Sequence, residues 1–570
     1  MRGSFRSYLL LLLLPLLLIL HETVIHNRRR HTNNNNAAAD DDDLALALST
    51  SSRWIVDNRK GGERVKLSCV NWASHLDAAV AEGLSKQPVD VISKKIVEMG
   101  FNCVRFTYPL FLFTDDKLGS MTMRQSMMKL GLSGSIAGVQ VNNPLLVDLP
   151  LVNVFQEVVS NLNENNVMII LDNHLSKPGW CCSDNDGNGF FGDLYFDPKV
   201  WIEGISRVAS MFKGYNNVIG MSLRNELRGR RQNLKTWYKY MQIGAERVHA
   251  MNPNVLIIIS GLNYDLDLSF LQTNPVSLSF SKKLVFEIHW YGFSDGNDWI
   301  TGNANEVCGR VIDKIANNAL FLLDQGYPLF VSEWGVDQSG TNDNDNRYLN
   351  CLLGWAAEND LDWALWTLVG SYYYREGVIG MEETYGLLNW NWRELRNSSF
   401  LEKISPLQSP FQAPDSNALA HKIIFHPSTG LCMQSHSSSL GPCSNALELD
   451  YTQEKILIVK GTNYCIEASE MHTPVRVGVM CGDDSSTRWE AISASKMHLS
   501  STDKNGNIVC LDIDSKNNIV TNDCKCLSKD YSCDPSSQWF KVINSTSFNI
   551  APSPISISQR PILDGSISSS

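Results

Sequence analysis

Residues 218–226 have the sequence Val-Ile-Gly-Met-Ser-Leu-Arg-Asn-Glu, and residues 328–335 have the sequence Pro-Leu-Phe-Val-Ser-Glu-Trp-Gly. In both stretches an apolar run leads to a glutamate near its C-terminal end, Glu226 in the first and Glu333 in the second. Apolar runs of this kind are typical of parallel strands that are buried on both faces. The two stretches therefore predict two strands of one parallel sheet, each with a carboxyl group at its tip.

The alternation of strand and helix continues on both sides of these stretches. It predicts eight strands, at residues 65–72, 101–108, 167–174, 218–226, 255–261, 284–291, 328–335 and 362–368. Regular alternation over this length predicts an α/β fold in which a parallel sheet closes into a (β/α)8 TIM barrel. An open doubly wound sheet is the alternative, but Asn71-Trp72-Ala73-Ser74-His75 stands where a Gly-rich phosphate loop would follow the first strand.

The length and composition describe a folded protein with more than one domain. The chain has 570 residues, of which 43% are hydrophobic and 19% are charged. A chain this long exceeds one ordinary hydrophobic core, so two domains are expected. The formal net charge of -11 gives the molecule no electrostatic attraction to nucleic acid, which is therefore not an expected partner.

The N-terminal region predicts export. Arg2 and Arg6 precede an apolar stretch that ends at Leu20, and its length suits a signal peptide better than a membrane-spanning helix. A short signal anchor is the alternative. We predict a signal peptide at residues 1–25 and a low-complexity leader at residues 26–50. The protein is then expected to be secreted, extracellular or in the cell wall, with no membrane partner after the signal is removed.

The cysteines mark a second domain. Of the 14 in the chain, eight lie between Cys432 and Cys533, and in an exported protein this density favours disulfides over free thiols. A proline-rich stretch precedes them and is typical of a linker. We predict a barrel domain, a linker, a disulfide-rich domain and a tail, at residues 51–404, 405–418, 419–550 and 551–570.

The second domain contains a threefold repeat. Segments 430–434, 464–467 and 509–512 are alike, and each is followed by a second cysteine. Arg488-Trp489-Glu490 and Gln538-Trp539-Phe540 close the second and third units. A repeat of about forty residues that is this rich in predicted strands indicates a closed threefold β fold rather than a solenoid.

Glu226 and Glu333 are the candidate catalytic residues. On a barrel, their strand tips meet at the face that carries the active site of (β/α)8 enzymes. Two facing carboxyl groups can cleave a glycosidic bond, because one protonates the leaving oxygen while the other attacks the anomeric carbon. We expect burial and the neighbouring charge to raise the pKa of Glu226, and Glu333 to stay ionised. Two ordinary carboxylates in surface loops are the alternative.

Further side chains at predicted strand ends support this interpretation. Arg105 can pair with Glu333, because an arginine inside a barrel needs a carboxylate partner. We expect Tyr291 to donate to the nucleophile and Asn225 to bond the 2-hydroxyl of the sugar. The candidate substrate-binding residues are Arg105, His174, Asn225, His289, Tyr291 and Trp366.

Other chemistries fit these residues less well. His174 and His289 lie far from any His, Asp or Cys cluster with metal-ligand spacing. No Gly-x-Ser-x-Gly elbow stands beside a predicted strand. The sequence therefore predicts neither a metal nor a cofactor.

The strand-end motifs resemble those of glycoside hydrolase family 5, the cellulase-like retaining enzymes with a (β/α)8 barrel. The match covers residues 52–400, and its residues follow the family's order: Arg105, His174, Asn225-Glu226, His289, Tyr291, Glu333 and Trp366. The resemblance implies that Glu226 is the acid/base and that Glu333 is the nucleophile.

The C-terminal region is similar to ricin B-type β-trefoil lectins. The Gln-Trp pair of Gln538-Trp539-Phe540 resembles the Gln-x-Trp signature of that family without its middle residue, and the second repeat departs from the signature further. The resemblance implies an all-β β-trefoil that binds glycans, with Asp512 of the third repeat as the sugar-binding residue. The two-domain combination resembles plant cellulase-like proteins.

We therefore predict a retaining glycosidase that cleaves a β-linked wall polysaccharide, a β-1,4 glucan or mannan, and is held near it by the trefoil. One alternative is a secreted lectin-like protein with an inactive barrel. The other is a transglycosylase, which passes the glycosyl unit to a sugar instead of water. The exact sugar and endo or exo action stay open.

Overall fold

The computed structural model describes residues 48–414, 420–435, 438–479, 481–482 and 484–546. The predicted signal peptide at residues 1–25 and the predicted tail at residues 551–570 lie outside the described residues. All the described residues fall within one unit of the fold, Ala47–Ser570.

Eight parallel strands close into a barrel. Three short antiparallel strands precede it: β1 (Leu48–Ser51), β2 (Trp54–Asp57) and β3 (Glu63–Arg64). The barrel strands are β4 (Ser68–Trp72), β5 (Cys103–Pro109), β6 (Met168–Leu175), β7 (Val218–Ser222), β8 (Leu256–Ile259), β9 (Leu284–His289), β10 (Leu329–Trp334) and β11 (Asp362–Leu365). Strand β11 pairs with both β10 and β4, so the ring is complete. The predicted (β/α)8 barrel is confirmed, and an open sheet is excluded.

Helices surround the barrel, because parallel neighbours need a crossover on the outside of the sheet. The α-helices of the described residues are Val89–Glu98, Phe111–Thr114, Asp116–Gly119, Met123–Lys129, Ser133–Asn142, Leu151–Glu164, Pro198–Met211, Leu234–Met251, Asp298–Thr301, Ala304–Ile315, Phe321–Asp324, Asp343–Asn359 and Ser398–Ile404. Several have side-chain caps. The Asp197 carboxylate, for example, accepts from the backbone N–H groups of Lys199 and Val200 at the start of its helix.

The C-terminal region consists of short antiparallel strands. Before this region, and directly after the last barrel strand, comes a separate hairpin of β12 (Tyr374–Arg375) and β13 (Val378–Ile379). Strands β14 to β25 follow: Ala420–His426, Leu431–Met433, Leu440–Gly441, Leu449–Tyr451, Leu457–Val459, Cys465–Glu467, Arg476–Gly478, Glu490–Ala491, Leu499–Thr502, Ile508–Ile513, Ile519–Asn522 and Lys541–Thr546. The first of these, β14, pairs with the last, β25, so the ends of the region are joined.

All 14 cysteines lie within the described residues, and all are paired. Each third of the C-terminal region contains one disulfide at a similar place, namely Cys432–Cys443, Cys465–Cys481 and Cys510–Cys524. The other pairs are Cys69–Cys103, Cys181–Cys182, Cys308–Cys351 and Cys526–Cys533. The predicted preference for disulfides is therefore confirmed.

The barrel and the C-terminal region share a packed interface around Asn305. Its Oδ1 accepts hydrogen bonds from Trp539 Nε1 and Ser495 Oγ, both at 2.8 Å, and its Nδ2 donates to the Cys526 carbonyl at 3.0 Å. Trp539 belongs to the Gln538-Trp539-Phe540 stretch and is buried. This tryptophan of the C-terminal region therefore contacts the barrel.

Among the described residues, every helix is too short or too polar to cross a membrane.

Candidate active site

Glu226 lies on the turn that leaves β7. Its backbone has a φ of 39°, in the left-handed region that costs a residue with a side chain about 1–2 kcal/mol. Its Oε1 lies 2.8 Å from Nδ1 of His289. Burial raises the pKa of Glu226 to about 7, although Arg228 acts in the opposite direction. A carboxyl group with this pKa can donate a proton near neutral pH.

Glu333 lies on β10 and is held by two donors. Its Oε1 accepts a hydrogen bond from Arg105 Nη1 at 2.6 Å, and its Oε2 accepts one from the Tyr291 hydroxyl at 3.0 Å. The pKa of Glu333 is raised overall, because burial outweighs the opposing effects of His289 and Arg105. Both hydrogen bonds favour the ionised form of Glu333, because a carboxylate accepts hydrogen bonds more strongly than a neutral carboxyl group.

The fold brings the two carboxyl groups together beside His289. One oxygen of each carboxyl group and one nitrogen of His289 all lie within 4.8 Å of one another. His289 Nδ1 is 2.8 Å from Glu226 Oε1 and 3.7 Å from Glu333 Oε2. The proximity that we predicted for the two glutamates is therefore present.

Arg105 is fully buried and joins several polar side chains. It donates to Asn71 Oδ1 at 3.1 Å and to Asn225 Oδ1 at 2.9 Å, and it pairs with Asp172 Oδ1 at 3.0 Å in addition to Glu333. Burial alone would lower the pKa of Arg105, but Asp172 and Glu333 outweigh it and raise the pKa above its ordinary value. A charged arginine thus fixes the position of Glu333 and of Asn225.

His174 and Trp366 form an aromatic layer at the same end of the barrel. The imidazole of His174 stacks on Trp366 with ring centroids 5.6 Å apart, and on His75 at 3.9 Å. His174 Nδ1 lies 2.6 Å from Asp172 Oδ2. Burial lowers the pKa of His174 well below its ordinary value, so the ring is neutral at pH 7.

His289 is the last residue of β9, and a second carboxylate, that of Asp265, lies near its other ring nitrogen. Its Nε2 lies 3.5 Å from Asp265 Oδ2, on the side of the ring away from Glu226. Burial lowers the pKa of His289. Burial and then Glu333 raise the pKa of Tyr291 well above its ordinary value. Tyr291 is therefore a neutral donor to Glu333 at pH 7.

Four buried residues of this site have no role predicted from the sequence: Asn71, His75, Asp172 and Asp265. Asn71, His75 and Asp172 are polar residues at or near the ends of β4 and β6, so the rule that selected Arg105 and His174 could have found them. Asp265 gives no such signal. It stands beyond β8 in a turn where Asn263, Tyr264 and Asp265 all have positive φ values, between 54° and 62°.

Asp512, the predicted sugar-binding residue of the C-terminal region, lies on β23 and is only 1% exposed. Its Oδ2 accepts hydrogen bonds from Asn522 Nδ2, Lys525 Nζ and Gln538 Nε2, each at 3.0 Å. Burial alone would raise its pKa, but the hydrogen bonds from Asn522 and Gln538 lower the pKa of Asp512 to about 2. A sugar hydroxyl would have to compete with these three donors for this oxygen.

Apart from Cys181, Cys182 and Glu226, where the two sulfurs are already joined in a disulfide, two sets of side chains among the described residues have donor atoms close enough together to hold a cation. They are Glu226, His289 and Glu333, and Asp265, Glu287 and His289, with the donor atoms of each set within 4.8 Å of one another. Glu333 already accepts from Arg105 and Tyr291. The acid and nucleophile chemistry of two carboxyl groups needs no cation.

Comparisons with known proteins agree with this geometry. Residues 79–371 match the family model for cellulase, glycosyl hydrolase family 5. A glycosyl hydrolase 5 family protein of Chamaecyparis obtusa is 42% identical over 520 residues, which cover 88% of this chain and 93% of the relative. An endoglucanase of Paenibacillus polymyxa is 22% identical over 347 residues, which cover 56% of this chain and 79% of that enzyme.

A solved structure shares the barrel. The endocellulase of the archaeon Pyrococcus horikoshii superposes with a TM-score of 0.52 at 20% identity, and the match covers 64% of this chain and 99% of the archaeal one. At this identity the match supports the fold alone. The family model and the 42% identical relative carry the assignment further. The chain therefore belongs to glycoside hydrolase family 5 and is a glycosidase.

Proposed function

We propose that this protein hydrolyses a β-1,4-linked glucan with retention of configuration at the anomeric carbon. The observation that carries the proposal is the spacing of Glu226 and Glu333, which have carboxyl oxygens within 4.8 Å of each other. Retaining glycosidases hold their two carboxyl groups about 5–5.5 Å apart, whereas inverting enzymes leave about 6.5–9.5 Å for a water molecule. The family relative named as an endoglucanase favours glucan over mannan as the substrate.

In the first step Glu333 attacks the anomeric carbon while Glu226 gives its proton to the glycosidic oxygen. The bond between that carbon and oxygen breaks, the shortened glucan leaves as an alcohol, and the sugar is bonded to Glu333. In the second step the Glu226 carboxylate takes a proton from water. The hydroxyl oxygen then attacks the anomeric carbon and releases Glu333 as a carboxylate.

The environments of the two carboxyl groups suit these roles. The pKa of Glu226 is raised to about 7, so a large fraction of this residue is protonated at neutral pH. Glu333 receives hydrogen bonds from Arg105 and Tyr291, and both stabilise a carboxylate ready for attack. His174 and Trp366 supply the stacked aromatic surface on which a sugar can lie.

Variants of Glu226 and Glu333, assayed with and without azide as an added nucleophile, test the separate roles of the two residues. We expect Glu333→Gln to lower kcat on the order of 10⁴-fold or more, because the variant lacks the nucleophile. For Glu226→Ala on an aryl glucoside with a good leaving group, we expect azide to restore turnover and to yield the β-glycosyl azide. Near wild-type turnover by Glu333→Gln, or a product of inverted configuration from the wild type, would contradict the proposal.

Product analysis identifies the reaction and the sugar. We would incubate the wild type with β-1,4-glucan, mannan and cello-oligosaccharides, and separate the products. Shorter sugars alone indicate hydrolysis, whereas products longer than the starting oligosaccharide indicate transglycosylation. No product from any substrate, together with glycan binding, would favour the lectin-like alternative.

We further propose that residues 419–550 form a ricin B-type β-trefoil that follows the barrel after the linker at residues 405–418. Twelve strands of the described residues, β14 to β25, divide into three groups of four, each with one disulfide at a similar place. Strand β14 pairs with β25, so the first and last strands of the region are joined, as in a closed fold. The paired cysteines also support export, as does the predicted signal peptide at residues 1–25.

Glycan binding by this region is best tested in the full chain. In Glu333→Gln, which cannot turn substrate over, binding across a glycan array would be compared with that of the added change Asp512→Asn. Loss of binding in the double variant supports Asp512 as the sugar ligand. Equal binding would contradict that role, and binding to no glycan would leave the region a structural part of the enzyme.

A further inference from the structure

The Cys181–Cys182 disulfide has no evident structural purpose. A disulfide stabilises a fold mainly by closing a loop of chain and restricting the unfolded state, and its effect grows with the length of that loop. The other six pairs join residues that are 7 to 43 positions apart, but Cys181 and Cys182 are neighbours in sequence. This pair closes no loop, so chain entropy does not account for it.

The segment on either side of the disulfide is held by other contacts. Before it, Trp180 packs edge-on against Tyr372, and the Arg375 guanidinium lies 3.4 Å from the centre of the Trp180 ring. After it, Arg228 Nε donates to the Ser183 carbonyl at 3.0 Å. The segment therefore does not need the disulfide to stay in place.

The sulfur atoms lie beside the catalytic groups. Asn225 Nδ2 is 3.6 Å from Cys181 Sγ and 3.8 Å from Cys182 Sγ. Both sulfurs and a carboxyl oxygen of Glu226 lie within 4.8 Å of one another. Cys182 is half-buried and Cys181 is the more enclosed of the two, so the disulfide is partly accessible.

The position of Glu226 brings any substrate close to these sulfurs. To receive a proton, a glycosidic oxygen must come about 2.6–3.2 Å from the Glu226 carboxyl group. Because both sulfurs lie within 4.8 Å of a Glu226 oxygen, a sugar joined at this glycosidic oxygen can reach the disulfide. Two polarisable sulfur atoms are an apolar surface, and the C–H face of a sugar ring can pack against such a surface.

We propose that the Cys181–Cys182 disulfide is a wall of the sugar-binding site, which contacts the sugar beside the bond that is cleaved. The proposal rests on the glycosidase function proposed above and adds a contact that neither the family model nor the motifs assign. Because the wall is made of an oxidised pair, it keeps its shape and carries no charge. It restricts which sugars can approach Glu226.

The first test compares two double variants. We expect Cys181→Ser with Cys182→Ser to lower kcat/KM on cello-oligosaccharides about tenfold, as loss of a small apolar contact does. Its Tm should stay within about 2 °C of wild type, since no loop is opened. Cys526→Ser with Cys533→Ser is the matched control and should lower the Tm with little change in kcat/KM. A kcat/KM within twofold of wild type in the first variant overturns the proposal.

The second test does not depend on the folding of a cysteine variant. In Glu333→Gln, a phosphine reductant would convert each disulfide into two thiols, the phosphine taking up oxygen from water, and mass spectrometry would follow each pair. We expect bound cellohexaose to slow the reduction of Cys181–Cys182 several-fold and to leave Cys526–Cys533 unaffected. Equal rates for Cys181–Cys182 with and without the bound sugar overturn the proposal. Failure of the wild type to cleave any glucan would instead contradict the proposed function.

Discussion

Glu226 and Glu333 share His289 as a neighbour, but the groups around them differ. Glu333 accepts from Arg105 and Tyr291, and both bonds favour a negative charge. Glu226 lies in a left-handed turn beside a histidine whose pKa is lowered by burial, so that ring is neutral at pH 7. One site can therefore hold one carboxyl group protonated and the other ionised, which double displacement requires.

We expect the pKa of Glu226, the proposed acid, to set the alkaline limit of activity. Glu226 must be protonated to act as the acid, and its pKa is raised to about 7. We expect kcat/KM to fall tenfold per pH unit above about pH 7, since kcat/KM reports the groups of the free enzyme. A pH profile on a substrate with a poor leaving group checks this. An alkaline limit at or below pH 5 would contradict the raised pKa.

We expect Arg105 to influence the acidic limit of activity through Glu333, the proposed nucleophile. It lowers the pKa of Glu333, which must be ionised to attack. We expect Arg105→Met to move the acidic limit of kcat/KM to higher pH by about one unit, because the stabilising charge is lost. Arg105→Lys keeps the charge and should move the limit less, although it loses the forked hydrogen bonds. An acidic limit that stays in place in both variants would show that Arg105 does not act through Glu333.

At the scale of elements, the packing of two helices supports the turn that carries Glu226. Trp201 of helix Pro198–Met211 donates through Nε1 to the Leu223 carbonyl, at 3.1 Å, just before the catalytic turn. Gly244 of helix Leu234–Met251 leaves room for this indole, because a Cβ there would lie 2.3 Å from the Trp201 ring. Gly244 therefore allows the neighbouring helix to place Trp201 against the turn that carries Glu226.

We expect Gly244→Ala to destabilise the protein by about 1–3 kcal/mol, because overpacking outweighs the better helix propensity of alanine. The same change should lower kcat, since Trp201 moves. Gly134→Ala is the control: that glycine also lies in a helix, but a Cβ would have nothing within 4 Å, so we expect up to about 1 kcal/mol of stabilisation. Urea unfolding measures both. Equal stabilisation by the two changes would contradict the packing argument.

At the scale of the whole molecule, the barrel and the C-terminal region are joined through buried polar contacts. Asn305 of the barrel is 3% exposed and bonds to Ser495, Cys526 and Trp539. A buried asparagine of this kind costs much to remove, because the buried indole N–H of Trp539 is left without its acceptor. The two parts should therefore unfold together.

We expect Asn305→Ala to lower the free energy of unfolding by about 2–3 kcal/mol, because the indole N–H of Trp539 loses its acceptor. Glu358→Gln removes the negative charge of a half-exposed ion-pair partner of Lys541 in the same interface. This change should lower the free energy of unfolding by no more than about 1 kcal/mol. Calorimetry of the full chain compares the two. Two separate transitions in the wild type would contradict a shared interface that couples the parts.

Much of this molecule follows from local patterns. The eight barrel strands were predicted from apolar runs and their order, because buried parallel strands need hydrophobic residues on both faces. The ends of those runs also identified Glu226, Glu333, Arg105 and His289. Asp265 and the Cys181–Cys182 pair gave no such signal, because a left-handed turn and an irregular segment have no periodic pattern.

The sequence by itself determined the class of fold, the residues at the strand ends and the need for disulfides, because these depend on neighbours along the chain. Only the tertiary structure decided which side chains touch. Closure of the barrel places Glu226 beside His289 and Glu333 beside Arg105, and burial at that closed end raises the pKa of Glu226 to about 7. Distance and burial are properties of the assembled barrel, and no single stretch of sequence contains them.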